Sequence, residues 1–196
     1  LIGQEEIRKL HPLLIVDDVK MGFYTPTDGH TDPASSTHAM AAGARLGGAE
    51  IYRQTQVLDT RLLDSGEWEV ITDKGSIICE HVVNAAGSFA KQVGEWVGLE
   101  LPIVNMEHHY LVTDTIPEVE AMDFELPMTV DLEGFTYMRQ DQNGILVGIY
   151  EINHQHWNID GAPWDYGIEL IQENTDRIAD ELEMAVSYTQ LPLPTR

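Results

Sequence analysis

Glu80-His-Val-Val-Asn-Ala-Ala-Gly-Ser-Phe-Ala90 is the stretch on which the reading of the chain turns. Val82 and Val83 suit a covered strand. Ala85, Ala86 and Gly87 leave no side chain between the backbone and a ligand, and Ser88 stands where a hydroxyl can cap a following helix. The pattern is a short buried strand that runs through a small-residue turn into a helix, and such a turn can receive a dinucleotide. A packed strand-to-helix corner with no ligand would use the same residues, so the flanking sequence has to choose between them.

On the carboxyl side, the helix is expected over Phe89 to Val97, ending at Gly98 with Pro102 just beyond. On the amino side, Leu58-Asp-Thr-Arg-Leu-Leu63, Glu67-Trp-Glu-Val-Ile-Thr72 and Gly75-Ser-Ile-Ile-Cys79 read as a meander with turns at Asp64-Ser-Gly66 and Asp73-Lys-Gly75. Ala49 to Val57 reads as the strand before it. Upstream again, Ala39, Met40, Gly43 and Leu46 recur at helical spacing, with Ser35 or Ser36 as cap and Gly47-Gly48 as stop. The small residues of that helix suit close packing on a sheet. Gly22-Phe-Tyr-Thr-Pro-Thr-Asp-Gly-His-Thr-Asp-Pro33 is so dense in Gly, Pro and Asp that it reads as a structured binding loop. Before it come a short helix over residues 4–10, stopped by His11-Pro12, and a candidate strand from Leu13 to Val16.

Past Pro102 the character changes. Val104-Asn-Met-Glu-His-His-Tyr-Leu-Val-Thr113 reads as one strand with imidazoles in its middle, and Asp114 to Glu125 as an acidic loop. Met128-Thr-Val130, Phe135-Thr-Tyr-Met-Arg139 and Ile145-Leu-Val-Gly-Ile-Tyr150 alternate around Asp131-Leu-Glu-Gly134 and Asp141-Gln-Asn-Gly144, which is the pattern of an antiparallel sheet. A polar connector, His154 to Asp165, then leads to an amphipathic helix carrying Ile168, Ile171, Ile178 and Leu182. The closing Ser187 to Arg196 contains two prolines, shares no pattern with the rest and is set apart as non-native in character.

Eleven Lys and Arg against 33 Asp and Glu give a net charge of −22, a field that repels phosphate backbones and anionic lipid. Nucleic acid and membrane surfaces are therefore poor partners. No apolar run reaches the roughly 18 residues of a span, and the expected compartment is cytoplasmic, or the mitochondrial matrix in a eukaryote. Cys79, the lone cysteine, sits in an apolar run and reads as a buried inert thiol. His154 and His156 stand near Glu151, but this spacing alone does not make a metal site, and none is expected. The chain opens mid-pattern without Met and reads as an internal fragment.

The blocks Gly22 to Pro33, Ala41-Ala-Gly-Ala-Arg45, Val83-Asn-Ala-Ala-Gly87, Glu107-His-His-Tyr-Leu-Val-Thr113, Asp131-Leu-Glu-Gly134 and Tyr137-Met-Arg-Gln140 stand in one order. In these the chain resembles the FAD-dependent dimethylglycine and sarcosine dehydrogenase group of the D-amino-acid-oxidase-like superfamily, over about residues 4 to 185. The resemblance implies a fold of α/β to α+β class. It divides into a partial FAD-binding domain of the glutathione-reductase-like, three-layer type at 21–98 and a partial antiparallel substrate domain at 1–20 and 99–186. The family's amino-terminal phosphate-loop strand, its flavin-capping segment and its folate-binding region are not among these residues. The 196-residue chain alone is therefore expected to be inactive.

In such enzymes a substrate N-methyl group gives a hydride equivalent to the flavin, and the resulting iminium yields formaldehyde or is captured by tetrahydrofolate. The resemblance implies a catalytic His108 near flavin and substrate, paired with Tyr137 in the pocket. It also implies FAD contacts at Val57 and at Ala85, Ala86 and Gly87. A small N-methylated amino acid and an electron acceptor or oxygen are the implied partners. Arg139 is the only Lys or Arg between Lys91 and Arg177 and lies two residues from Tyr137 on a strand, so it can anchor a substrate carboxylate. It can equally offset Glu133 and Asp141. The corresponding alternatives are a half-buried hydrogen-bonded histidine at 108, an aromatic packed on the sheet at 137, and a loop-holding role for His30. Phe89, where relatives often carry Trp, and His109, where Gln is common, bear on which amine is taken. Two further readings stand beside the main one: another D-amino-acid-oxidase-like flavoenzyme, and a non-catalytic acidic binding domain on the same scaffold.

Overall fold

A computed structural model describes residues 1–167, 169–187 and 189. Ile168, expected on the last helix, and the 187–196 tail apart from Ser187 and Thr189 lie outside the described residues. In chain order the elements are α1 (Gln4–Leu10), α2 (Pro33–Leu46), β1 (Val57–Leu62), β2 (Trp68–Thr72), β3 (Gly75–Cys79), a 3₁₀ turn (Gly87–Phe89), α3 (Ala90–Glu95), β4 (Asn105–Met106), β5 (Tyr110–Val112), α4 (Pro117–Glu120), β6 (Thr129–Asp131), β7 (Thr136–Asp141), β8 (Gly144–Ile149), β9 (His156–Trp157), a second 3₁₀ turn (Thr175–Ile178) and α5 (Ala179–Ser187). Every strand pairing among the described residues is antiparallel. The elements gather into two compact units. One is built from residues 1–30, 107–154 and the described residues from 171 on, the other from 31–106 and 155–170.

The first unit is organised by a four-stranded sheet in the order β5-β8-β7-β6. The Gln142-Asn143 loop, with Gln142 at φ +54, closes the β7–β8 hairpin and pairs Asp141 with Gly144, Arg139 with Leu146 and Tyr137 with Gly148. A side chain at Gly144 would meet the Thr113 carbonyl oxygen at 2.8 Å, so the hairpin can lie against β5 only with glycine there. Alternation then sends Thr136, Met138, Ile145, Val147 and Ile149 to one face, where all five are buried. Met138, Ile145 and Val147 join Leu13, Ile116, Val119, Leu126 and Ala185 in a single core.

Several expectations in this unit are revised. Leu13 to Val16 does not form a strand: Pro12 has no amide to pair, only Leu14 makes a bridge, and the buried positions are Leu13 and Val16 rather than alternate residues. The acidic stretch 114–125 is not all loop, because Pro117 starts α4, which sends Val119 into the core. Residues 104–113 are not one strand; β4 and β5 are separate, and Glu107 to His109 lie between them. In the last helix the turn begins only at Thr175, Ile178 is buried, and Ile171 remains outside the helix and exposed.

In the second unit, Asp32 rather than Ser35 or Ser36 caps α2. Its carboxylate accepts from the Ser35 amide at 2.7 Å, and Pro33 fills the first helical position, where no amide is needed. None of the residues of α2 is buried, so the close sheet packing expected of its small residues is not found among the described residues. The meander β1-β2-β3 forms as expected. Ala49 to Gln56 does not extend into a strand, and neither does 80–84, where Val83 is 85% exposed: no described strand pairs with either segment. The connector 155–165 is held rather than free. β9 pairs with β4, the Gln92 amide group exchanges two 2.8 Å hydrogen bonds with the Ala162 backbone, and the Trp164 ring stacks between Phe89 and Trp96 at 5.5 Å from each.

His11, just past α1, is 2% exposed, and neither ring nitrogen has a hydrogen-bond partner. Burial, only partly offset by the polar backbone of His11 itself, lowers its pKa from 6.5 to about 4. The unfolded chain therefore binds the extra proton first as pH falls. The native state carries no penalty above pH 6.5 and loses stability progressively down to about 4, by roughly 3 kcal/mol. In urea titrations, His11→Leu should track wild type at pH 7.5 and become the more stable protein as pH falls to 4.5. Parallel curves for the two proteins would contradict this.

Candidate active site

The core-facing alternation of β7 leaves Tyr137 and Arg139 on the opposite, open face of the sheet. Across from Tyr137 stands Gly148, and the Tyr137 ring lies directly over it: a Cβ there would fall 1.8 Å from Tyr137 Cζ. Glycine is thus what allows the phenol to lie flat on the sheet. Tyr150, just past β8, and His108, between β4 and β5, close a ring cluster with it. The His108 and Tyr137 centroids are 6.4 Å apart with planes 8° from parallel, those of Tyr137 and Tyr150 are 5.4 Å apart, and those of His108 and Tyr150 are 6.3 Å apart.

Burial, followed by Tyr150, raises the Tyr137 pKa against the opposing pull of Arg139, so the phenol keeps its proton and has an O–H to donate. Arg139 shares this face, but its Nη1 is 3.1 Å from Asp141 Oδ1 and also donates to the Gln140 carbonyl at 3.1 Å. The pairing with Asp141 is the alternative that the sequence had left open. With both partners about one-third exposed, the pair is exchangeable and worth little by itself.

Behind His108 lies a cluster that sequence reasoning did not find. Arg177, with a side chain 6% exposed, donates to Glu107 Oε2 at 2.6 Å and sets Nη2 3.0 Å from Glu151 Oε2 without hydrogen-bond alignment. Glu151 Oε1 takes both the His109 amide at 2.8 Å and His109 Nδ1 at 2.6 Å. Because the Asn174 amide donates to Nε2 at 3.1 Å, His109 is the neutral tautomer carrying its proton on Nδ1. The 3.1 Å approach of Arg177 Nη2 to Nδ1 then brings two donors together and is not a hydrogen bond. Burial would raise the Glu151 pKa, but the His109 ring and amide and the Arg177 charge outweigh it and leave the carboxyl lowered. Glu107, then Glu151, raise the Arg177 pKa against desolvation. Arg177 is simply the next cation after Arg139 in the chain, and that position was its only sequence signal.

The remaining candidates are not members of this cluster. His30 Nε2 is 3.4 Å from Glu125 Oε1, in keeping with a loop-holding role. Among the described residues no group of three or more His, Cys, Asp or Glu is arranged to hold a metal ion, and no helix is long and apolar enough to cross a membrane. Val57, Ala85, Ala86 and Gly87 belong to the second unit. Val57 opens β1. Ala85 and Gly87 are exposed in the turn before α3, with Gly87 at φ +56 and open space where a Cβ would stand. Asn84, rather than Ser88, braces this turn, donating to the Ala90 carbonyl at 2.9 Å and accepting from the Ala86 amide at 3.2 Å. A small, exposed backbone turn of this kind fits a cofactor lying against it.

Residues 1–190 match the family described as FAD dependent oxidoreductase. The chain belongs to that family. It is 42% identical over 191 residues to the mitochondrial dimethylglycine dehydrogenase of Mus musculus, covering 95% of this chain and 22% of that protein. Over 192 residues it is 32% identical to the mitochondrial sarcosine dehydrogenase of the same species, covering 95% and 20%. The chain thus spans about a fifth of the length of these curated relatives. The crystal structure of L-proline dehydrogenase from P. horikoshii superposes with a TM-score of 0.77 over 96% of this chain and 47% of that one, at 24% identity. It shares the family's mixture of helices and antiparallel sheet.

Gly148→Ala separates the ring cluster from the sheet beneath it. The added methyl meets the far end of a half-exposed Tyr137, which can swing away, so the cost to the unfolding free energy should stay within about 1–3 kcal/mol. The tyrosine near-UV circular dichroism should fall markedly. A large loss of stability with an unchanged aromatic signal would show that Tyr137 cannot move.

Proposed function

We propose that the protein carrying this chain is an FAD-dependent dehydrogenase that oxidatively demethylates a small N-methylated amino acid, dimethylglycine or sarcosine. The observation that carries this reading is the His108–Tyr137–Tyr150 cluster beside Arg139 on the open face of the first unit's sheet. It has an aromatic wall for methyl groups, a retained phenol proton, an imidazole and a cation. In this reading residues 1–20 and 99–186 are part of the substrate domain and 21–98 are part of a three-layer FAD domain, as the resemblance implies. The likeness to mitochondrial dehydrogenases supports a matrix location if the source is eukaryotic.

Ala85, Ala86 and Gly87 would pass beneath the FAD and Val57 would lend backbone contacts near its adenine. When bound, FAD supplies the acceptor for the hydride equivalent lost from the substrate N-methyl group. The chain's own residues do the rest. Arg139 would exchange Asp141 for the substrate carboxylate, a charge-assisted contact that fixes one end of the molecule. Tyr137 Oη–H would donate to a substrate oxygen, and the Tyr137 and Tyr150 rings would exclude water from the N-methyl groups. His108 would take the ammonium proton on a ring nitrogen, because only the free amine has the lone pair that forms the C=N bond as the C–H bond breaks. Water then adds to the iminium carbon, releasing formaldehyde and the demethylated amine, unless tetrahydrofolate captures the carbon.

The test is the visible spectrum of the full-length protein before and after anaerobic dimethylglycine. A yellow protein that bleaches is expected, with Tyr137→Phe and His108→Ala each slowing bleaching roughly tenfold or more. A yellow protein indifferent to N-methylated amino acids would discard the substrate class and favour another flavoenzyme of the superfamily. A folded colourless protein would discard the cofactor and favour a non-catalytic binding domain.

A further inference from the structure

His108 sits where the sheet gives it little support. β4 ends at Met106 and β5 begins at Tyr110, so Glu107, His108 and His109 fall between ladders. Apart from a long 3.4 Å bond from the Ile149 amide to the His109 carbonyl, the bonds that fix this triplet come from side chains. Both neighbours of His108 are tied to the same buried group. Glu107 is bound by Arg177 at 2.6 Å, and His109 is bound through its amide and its ring to Glu151 Oε1 at 2.8 and 2.6 Å. With the neighbours held on one side, His108 is directed to the other, onto Tyr137 and Tyr150. Glu151 also directly follows Tyr150, whose amide donates to the Phe135 carbonyl at 2.7 Å. One carboxylate therefore registers the histidine against one of the rings it meets.

The network is poorly designed as a stabilising device. Glu151 Oε2 and Arg177 Nε are buried without hydrogen-bond partners, and a buried ion network seldom adds stability over well-packed apolar residues. It is better accounted for by what it holds in place. We propose that Glu151 and Arg177 are positioning residues for His108, setting the distance and tilt of its ring against Tyr137 and Tyr150. This rests on the reading of His108 given above, and neither residue is required to touch substrate or cofactor.

The test uses Glu151→Gln, which keeps the shape and an acceptor for His109 but removes the charge that faces Arg177. Arg177→Lys is the second variant, keeping the charge without the fork that spans two carboxylates. In the full-length protein with dimethylglycine, Glu151→Gln should lower kcat roughly ten- to a hundredfold while KM stays within about twofold. Arg177→Lys should fall between it and wild type. In a His108→Ala background, Glu151→Gln should have no further effect. A loss that persists undiminished there would mean a merely structural role and would overturn the proposal, as would an unchanged kcat in the single variant. His108→Ala alone tests the catalytic reading separately. If it leaves turnover intact, that reading fails, and positioning is then decided on the full-length protein with ¹³C-labelled histidine. The His108 ring resonance, displaced by the two tyrosine rings, should move in Glu151→Gln, and an unmoved resonance overturns the proposal.

Discussion

The pairing of β7 with β8 is the constraint from which the first unit follows. A two-residue loop leaves no freedom in register, so Asp141 opposite Gly144 dictates Arg139 opposite Leu146 and Tyr137 opposite Gly148. A slip of β7 by one residue against β8 would carry Met138 out of the core and put Tyr137 into it. The same register places glycine beneath the phenol, and Gly144 lets β5 approach from the far side. Packing on one face and ring placement on the other are thus two results of one turn.

The second constraint is electrostatic and reaches across the sequence rather than along it. Arg177 joins Glu107 and Glu151, residues 70 and 26 positions earlier, in a site from which water is largely excluded. Removing one member of such a buried group leaves an uncompensated charge and typically costs about 3–5 kcal/mol, whereas the intact group gains little over an apolar core. Its net effect is therefore to fix geometry. It selects one conformation for a backbone triplet that no strand ladder holds, and that triplet carries His108.

How much of this was legible depended on whether the determinant was local. The β7–β8 hairpin could be counted outward from Asp141-Gln-Asn-Gly144, which is why Tyr137 and Arg139 were correctly placed on one face, and the β1–β3 meander followed from its turns in the same way. The α2 cap lies three or four residues before the expected Ser35 or Ser36 because Asp and Ser are both good capping types; the Asp32-Pro33 pair is the better signal. Residues 104–113 read as one strand because apolar residues flank the polar Glu107 to His109 on both sides, although the partners change there, β4 pairing with β9 and β5 with β8. Arg177 and Glu151 gave no local signal at all, because a buried ion group is defined by contacts among segments far apart in sequence.

The second unit shows the same distinction from the other side. β1, β2 and β3 find their partners within a few residues and form a sheet. Ala49 to Gln56 and 80–84 read as strands, yet no described strand pairs with them; Arg53 and Gln54 turn, with Gln54 at φ +52, and every residue of the two segments except Thr55 is exposed. Composition reports what a segment needs, while pairing depends on whether a neighbour meets that need. The turn at Ala85 to Gly87 nevertheless keeps its form, because Asn84 bonds to both Ala86 and Ala90 across it. Its small-residue backbone is held open by a side chain within the turn. The feature that makes it suitable for a cofactor is thus built locally, even where the strand leading into it is not.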